Sequence, residues 1–305
     1  MIPPWWLWIP VTIGAAGAQT LRNATQRHLT SDLGTLGATL VRFLYGLPFA
    51  VVWLLVVTQL TGDGLPRFGY IFSGWLLLGA LSQIAGTALL LRTMRERNFT
   101  LGVAYSKSEV IQVAIFGFVF LRDPLSPSTV IAVLLGTLGV MLLTPVDRQR
   151  PVRTLISGLT TRTALLGLAS GGGFALSAVG YRGAALALDT SFLMAAAFTL
   201  VGAQLLQTVV MSVYLRLARP GALSRVLRAW RTSLLAGFSG AAASAGWFTA
   251  MAIEPVAHVR TLALIELLFS YVISRRIFQE QFTRLQLIGL LVLVAGLVVV
   301  TLGPQ

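Results

Sequence analysis

The sequence has no cysteine, which excludes disulfides, iron–sulfur clusters and thiolate metal sites. Its two histidines, His28 and His258, are too few for a histidine-built metal centre. Charge is scarce as well. Only 11% of the 305 residues are Asp, Glu, Lys or Arg, where a soluble domain carries about 25%. A chain this poor in charge cannot cover a water-exposed globular surface, and it is too apolar for disorder. No Walker loop, zinc motif or nucleophile elbow occurs. Gly171-Gly172-Gly173 lies within an apolar run and lacks a following Lys-Ser/Thr. The loops hold no Asp/His cluster. These absences speak against an enzyme, a cofactor and a metal.

What the chain has is apolar length. Hydrophobic residues make up 56%, and the mean hydropathy is +0.81. Each bilayer crossing takes about 20 apolar residues, so ten crossings with short loops use the whole chain. The apolar stretches fall near 5–25, 33–60, 70–91, 100–121, 127–144, 162–186, 190–217, 232–253, 257–278 and 284–302. Between them stand breakers such as Gly62-Asp63-Gly64-Leu65-Pro66, Asp123-Pro124, Arg219-Pro220-Gly221 and Glu254-Pro255. Several runs are rich in Gly and Ala, as membrane helices that approach closely require. Ala16-Gly17-Ala18 resembles a signal-peptide cleavage site, but residues 1–8 carry no basic side chain, and the first run is read as a retained span. The net charge of +13 comes almost entirely from arginines in short loops. That pattern speaks for membrane orientation rather than nucleic-acid binding.

Sliding the chain by 157 residues aligns its two halves without a gap. Gly14 falls on Gly171, Asp32 on Asp189, Ser82 on Ser239, Met94 on Met251, Glu109 on Glu266 and Gly139 on Gly296. Apolar matches alone would mean little. Aligned acids in one register are harder to obtain by chance. Each half then holds five spans, and an odd number makes the second half enter from the opposite side. The expectation is an all-α integral membrane protein: ten transmembrane helices as two inverted five-helix repeats, 1–147 and 161–305, joined by a loop at 148–160. Such repeats are typical of carriers that alternate access around a midplane site.

The stretch 121–143, beginning Leu121-Arg122-Asp123-Pro124-Leu125-Ser126, and the stretch 278–300 resemble the end of an EamA-type domain: an acidic turn followed by an apolar helix. Arg42-Phe43 resembles the family's Arg-Phe pair, and Glu266 falls where the second family repeat often has an acid. The whole chain is similar to the ten-helix drug/metabolite transporter superfamily. That family often places Pro just after the positions of Glu109 and Glu266. Here the neighbours are Val110 and Leu267, so a helix break expected near the site is missing or lies elsewhere. The family's Trp in the first span is absent too. The resemblance implies a multi-pass carrier in the cell membrane, the inner membrane of a bacterium, and characterised relatives of this shape include amino-acid exporters.

Ionisable groups at bilayer depth usually face a cavity or a partner. Arg42, Lys107, Glu109 and Glu266 are such groups. At helical spacing, Tyr105, Ser108, Glu109, Gln112 and Phe116 share one face, with Lys107 pointing elsewhere. Glu266 and Ser270 share the corresponding face of span nine. The candidate substrate-binding residues are therefore Arg42, Tyr105, Ser108, Glu109, Gln112, Trp247, Glu266 and Ser270. Glu109 and Glu266 could take a substrate ammonium or carry protons, and Arg42 could meet a carboxylate or instead pair with one of the two acids. Two cations with two anions suit a zwitterion. Trp5, Trp6, Trp8 and Trp53 read as interface anchors. Tyr45, Trp247 and Tyr271 lie deeper, and His258 reads as a helix-end residue. Gln19 and Gln204 are polar groups that satisfy a neighbouring helix or touch substrate.

The functional expectation is a secondary transporter of small metabolites, above all an amino-acid exporter. A lipid flippase and a multidrug or cation efflux carrier are the alternatives. Expected partners are a small-molecule substrate, membrane lipid and protons, with no nucleic acid, and the protein is expected to act as a monomer. By loop, 17 arginines fall on one side and Arg67, Arg122, Arg182 and Arg260 on the other, which places both termini outside. The resemblance places them in the cytoplasm.

Overall fold

The computed structural model describes residues 4–93, 105–143, 161–269 and 283–302, and among these every regular element is helical. In chain order they are α1 (Trp8–Leu44), α2 (Leu47–Thr61), α3 (Tyr70–Thr93), α4 (Glu109–Phe116), α5 (Pro127–Leu143), α6 (Arg162–Leu186), α7 (Phe192–Ala218), α8 (Ala222–Arg228), α9 (Trp230–Ile253), α10 (Val256–Leu262) and α11 (Arg284–Leu302). α4 widens at its end into a π-helical turn, Gly117–Leu121. Five described stretches are long and apolar enough to cross a membrane: Asp32–Thr61, Tyr70–Leu90, Arg162–Leu186, Phe192–Ala218 and Arg284–Leu302.

The first two spans differ from expectation at their junction. No loop separates them near residues 26–32. α1 continues through, and its interruption falls at Gly34, whose φ of 69° and ψ of 168° are non-helical. That conformation is readily open only to glycine. The second span is instead divided at Tyr45-Gly46, before Pro48 in the first turn of α2, where proline's missing N–H is tolerated.

The chain forms two compact units, whose boundaries fall inside α3 and α6. One unit comprises Met1–Leu81 and Gly180–Glu254, the other Ser82–Val179 and Pro255–Gln305. Each therefore draws on both halves of the sequence.

In the first unit α1 packs against α9 and α2 against α7. Small residues make the first contact possible: a Cβ on Gly246 would lie 2.7 Å from the Cβ of Ala15. Leu54 and Val57 of α2 meet Met194 and Ala197 of α7. Phe72 packs on Ala184, Ala185, Leu188 and Ala195. Trp8 is fully buried, whereas Trp5 and Trp6 are exposed. Trp8 is thus a packed side chain rather than the interface anchor the pattern suggested, because α1 begins at that residue and turns the indole inward. Ser191 caps α7 by accepting from the Met194 N–H and donates to the carboxylate of Asp63.

Arg182, near the end of α6, is buried inside the protein and does not belong with the loop arginines among which the charge count places it. Its Nη1 donates to the carbonyls of Met251 and Glu254, both at 2.6 Å. These carbonyls close α9, where backbone acceptors lack intrahelical donors and a cation is favoured.

In the second unit α5 and α11 pack along glycines. A Cβ on Gly139 would fall 2.7 Å from the Leu293 amide nitrogen, and one on Gly296 would fall 2.9 Å from that of Gly136. α10 contacts α4, α5 and α11. Buried Asp123 accepts from the Val256 N–H at 3.4 Å, and the Thr129 hydroxyl lies 2.6 Å from His258 Nε2. His258 sits in the first turn of α10, the helix-end position its sequence context suggested.

Candidate functional site

The second unit contains two interrupted helical segments, each broken just before an acid. Residues 105–106 are helical, Lys107 and Ser108 form a turn, and α4 begins at Glu109. The Ser108 N–H and hydroxyl both donate to the Tyr105 carbonyl, at 3.1 and 2.6 Å. The Ile111 N–H reaches only to Ser108 O, at 3.0 Å. In the other segment α10 ends at Leu262, Ala263 and Leu264 form the turn, and helix resumes at 265–269. The Leu264 N–H donates to Thr261 O, and the Glu266 N–H to Ala263 O, both at 3.1 Å. Short three-residue bonds replace the α-helical ladder at both places. Glu109 and Glu266 therefore stand in the first turn after a break, at the N-terminal end of a helical stretch, where the helix dipole favours a carboxylate. The break does exist, then, without the family's proline, and it precedes each acid.

Gly171 explains how the first break is accommodated. A Cβ there would lie 2.8 Å from Ser106 O and 3.2 Å from the Glu109 nitrogen. Gly173 meets Gly86 in the same way, at 2.8 Å from its Cα. Gly171 and Gly173 of α6 are a packing surface for backbone, and Gly172 between them faces the Gln112 side chain.

The acids are paired crosswise between the sequence halves. Lys107 Nζ lies 3.0 Å from Glu266 Oε1 and donates to it. Arg260 Nε lies 3.4 Å from Glu109 Oε1. Arg260 and both acids keep less than a fifth of their side-chain surface exposed, and Lys107 about a third. The field at Lys107 includes Glu109 and Arg260 as well as Glu266. The four groups form one neutral quartet, two cations and two anions. Chemically such a set can hold a zwitterion, or exchange its pairs when one charge is neutralised.

Five further candidate residues are described, three of them here and two in the first unit. Tyr105 and Ser108 are buried at the break. Gln112 donates to Ser108 Oγ at 2.8 Å and to Leu168 O at 3.2 Å, so its amide ties α4 to α6. Arg42 and Trp247 belong to the first unit. The Arg42 guanidinium stands over the ring of Phe43, 5.3 Å from its centre. Trp247 is buried and donates to Gln19 Oε1 at 3.0 Å. Ser270 and Tyr271 lie outside the described residues.

Sequence reasoning misplaced both cations of the quartet. Lys107 was expected to point away from Glu109's face. The turn at 107–108 breaks the 100° periodicity on which that expectation rested and swings Lys107 to Glu266. Arg260 was counted with the loops but lies within α10. Lys107 and Arg260 thus stand against the two acids. Among the described residues, no group of three or more His, Cys, Asp or Glu side chains could hold a metal ion.

Residues 6–144 match the model of the EamA-like transporter family. No curated protein matches the chain. A protein of known crystal structure shares the fold with a TM-score of 0.66, over 96% of this chain and 98% of that one, at 16% identity. The match to the EamA-like transporter family over residues 6–144, together with five described stretches apolar enough to cross a membrane, supports a multi-pass membrane protein of the transporter kind, handling small solutes.

Proposed function

We propose, from the place of residues 6–144 in the EamA-like transporter family, that this protein is a secondary transporter exporting amino acids or related zwitterions by alternating access. On this reading the ten spans form two inverted repeats in the membrane, the inner membrane of a bacterium. The observation that carries the amino-acid reading is the neutral quartet Lys107, Glu109, Arg260 and Glu266. A zwitterion meets a counter-charge for each of its own charges there and leaves the site's net charge unchanged. A dianion or a dication would bury an excess of one sign, which is expensive at bilayer depth.

Glu109 and Glu266 are also the proton-coupling candidates. Protonating either acid would release its cation, and the released cation could receive the substrate carboxylate. Proton binding and substrate binding would then alternate at one set of groups.

The test uses purified protein in liposomes loaded with labelled amino acids, with and without a pH gradient. Saturable exchange of an amino acid supports the carrier. Acceleration by the gradient, lost in Glu266→Gln, supports proton coupling. If folded protein exchanges no amino acid, the substrate reading fails. If a pH gradient changes nothing in the wild type, the coupling falls and facilitated exchange remains.

A further inference from the structure

The two ion pairs of the quartet are unequal. Lys107 and Glu266 are closed by a hydrogen bond of 3.0 Å. Glu109 and Arg260 approach only to 3.4 Å, and Glu109 Oε1 is buried and accepts no hydrogen bond from the described residues. The neighbouring donors are committed elsewhere: the Ser108 hydroxyl to Tyr105 O, and the Gln112 amide to Ser108 Oγ and Leu168 O. A buried carboxylate oxygen without a donor is unfavourable. It becomes favourable when a ligand supplies the donor.

We propose that Glu109–Arg260 is the pair that opens to substrate, taking a primary ammonium on Glu109 and the carboxylate of the same molecule on Arg260, while Lys107–Glu266 stays closed and positions the two broken helices. This rests on the amino-acid reading above and narrows it. The substrate class is α-amino acids with an unsubstituted ammonium group. Recognition of that group belongs to the first acid alone, although the repeat makes the two acids equivalent in sequence.

The electrostatic argument is one of matching. A zwitterion inserted between Glu109 and Arg260 replaces one ion pair by two and leaves no charge unmatched. An amine without a carboxylate would leave Arg260 facing a like charge. An acid without an amine would do the same to Glu109. Both would bind worse than the parent, and so would an amine whose N–H donors are blocked by methyl groups, since Glu109 Oε1 requires a donor.

The experiment is counterflow of labelled leucine in liposomes, competed by four probes: leucine, its N,N-dimethyl derivative, 4-methylpentanoate (no amine) and 3-methylbutylamine (no carboxylate). In the wild type only leucine should compete effectively, with at least a tenfold preference over each analogue. In Glu109→Gln the preference for leucine over 4-methylpentanoate should collapse. In Arg260→Gln the preference over 3-methylbutylamine should collapse. Glu109→Asp should keep the wild-type order.

In the double variant Lys107→Gln/Glu266→Gln the rate should fall and the preference ratios should hold. Ratios that survive in Glu109→Gln, or that collapse in the double variant instead, overturn the assignment. Should Glu109→Gln fail to fold, the wild type still decides, because effective competition by dimethyl-leucine overturns the proposal. A folded wild type that moves no leucine or other amino acid sinks the transport reading itself. That outcome differs from amino-acid exchange with the wrong analogue preferences.

Discussion

Lys107 Nζ lies 3.0 Å from Glu266 Oε1, although 159 residues of chain separate them. A lysine from the first half of the sequence thus neutralises an acid from the second, and Arg260 makes the opposite crossing to Glu109 at 3.4 Å. Each broken segment carries one cation and one acid, and each gives its cation to the other. The pairs hold the two interrupted segments, 105–116 and 256–269, together by charge as well as by packing.

The first prediction concerns this crossing. Removing one partner of a shielded pair strands the other, at roughly 3–5 kcal/mol for full burial. Lys107 keeps about a third of its side chain exposed, so Glu266→Gln should fall below that range, about 1–3 kcal/mol. The double replacement Lys107→Met/Glu266→Met strands no charge and should be less destabilising than either single change. A thermal-melt double-mutant cycle in detergent reads the coupling. Additive losses would mean that the pair contributes nothing beyond its separate side chains.

A second prediction separates two adjacent glycines. At Gly171 a Cβ would meet the Ser106 carbonyl at 2.8 Å, a backbone atom fixed by the helix break. At Gly172 it would meet Gln112 Oε1 at 2.8 Å, the tip of a side chain that can turn aside. Gly171→Ala should therefore lower thermal stability by about 1–3 kcal/mol, as overpacking does, and impair exchange. Gly172→Ala should cost less than half as much. Equal effects would contradict the backbone contact as the reason for the first glycine.

Helical character, the apolar spans and the two acids were legible because each leaves a mark on the sequence. Runs of Leu, Val and Ala set the spans, and a repeat of fixed register aligned Glu109 with Glu266. The cations were not legible in this way. Position 264, the repeat equivalent of Lys107, is a leucine, and position 103, the equivalent of Arg260, is a valine, so duplication gave no pointer to either. Lys107 was misdirected by assuming an unbroken helix, and Arg260 by counting it with the loop arginines although it falls inside the apolar stretch 257–278. Arg182 was misread for the same reason. Gly34 was invisible as a break because the chain has 30 glycines, most of them within helices for close packing.

The third prediction follows from Arg182. Its guanidinium donates to two carbonyls at the end of α9. Gln at this position is too short and uncharged to hold both, and Lys offers a point charge without the planar fork. Arg182→Gln should destabilise the protein by about 2–3 kcal/mol, the upper range for hydrogen bonds to a charged group, and Arg182→Lys by less. A melt in detergent reads both. Faster amide exchange confined to the last turn of α9 would locate the effect, and unchanged exchange there would refute it.

The last prediction is orientation. Burial sharpens the distribution of 17 arginines against 4. Arg22 leaves the basic side because it is buried, and Arg182 and Arg260 leave the sparse side because they are held inside the protein. Arg67 and Arg122 then remain opposite a large basic excess, so the asymmetry sharpens. The positive-inside rule places the exposed turn at Arg219–Gly221 in the cytoplasm and the exposed segment around Gly64 and Arg67 outside. α7 fits the assignment, since 27 residues connect Ser191, bonded to Asp63, with Arg219. The absence of cysteine makes the experiment clean. In intact cells a membrane-impermeant thiol reagent should label Arg67→Cys, and it should label Arg219→Cys only after permeabilisation. The reverse pattern would put both termini in the cytoplasm, as in many relatives of this architecture, and would mean that loop arginines do not set the topology of this chain.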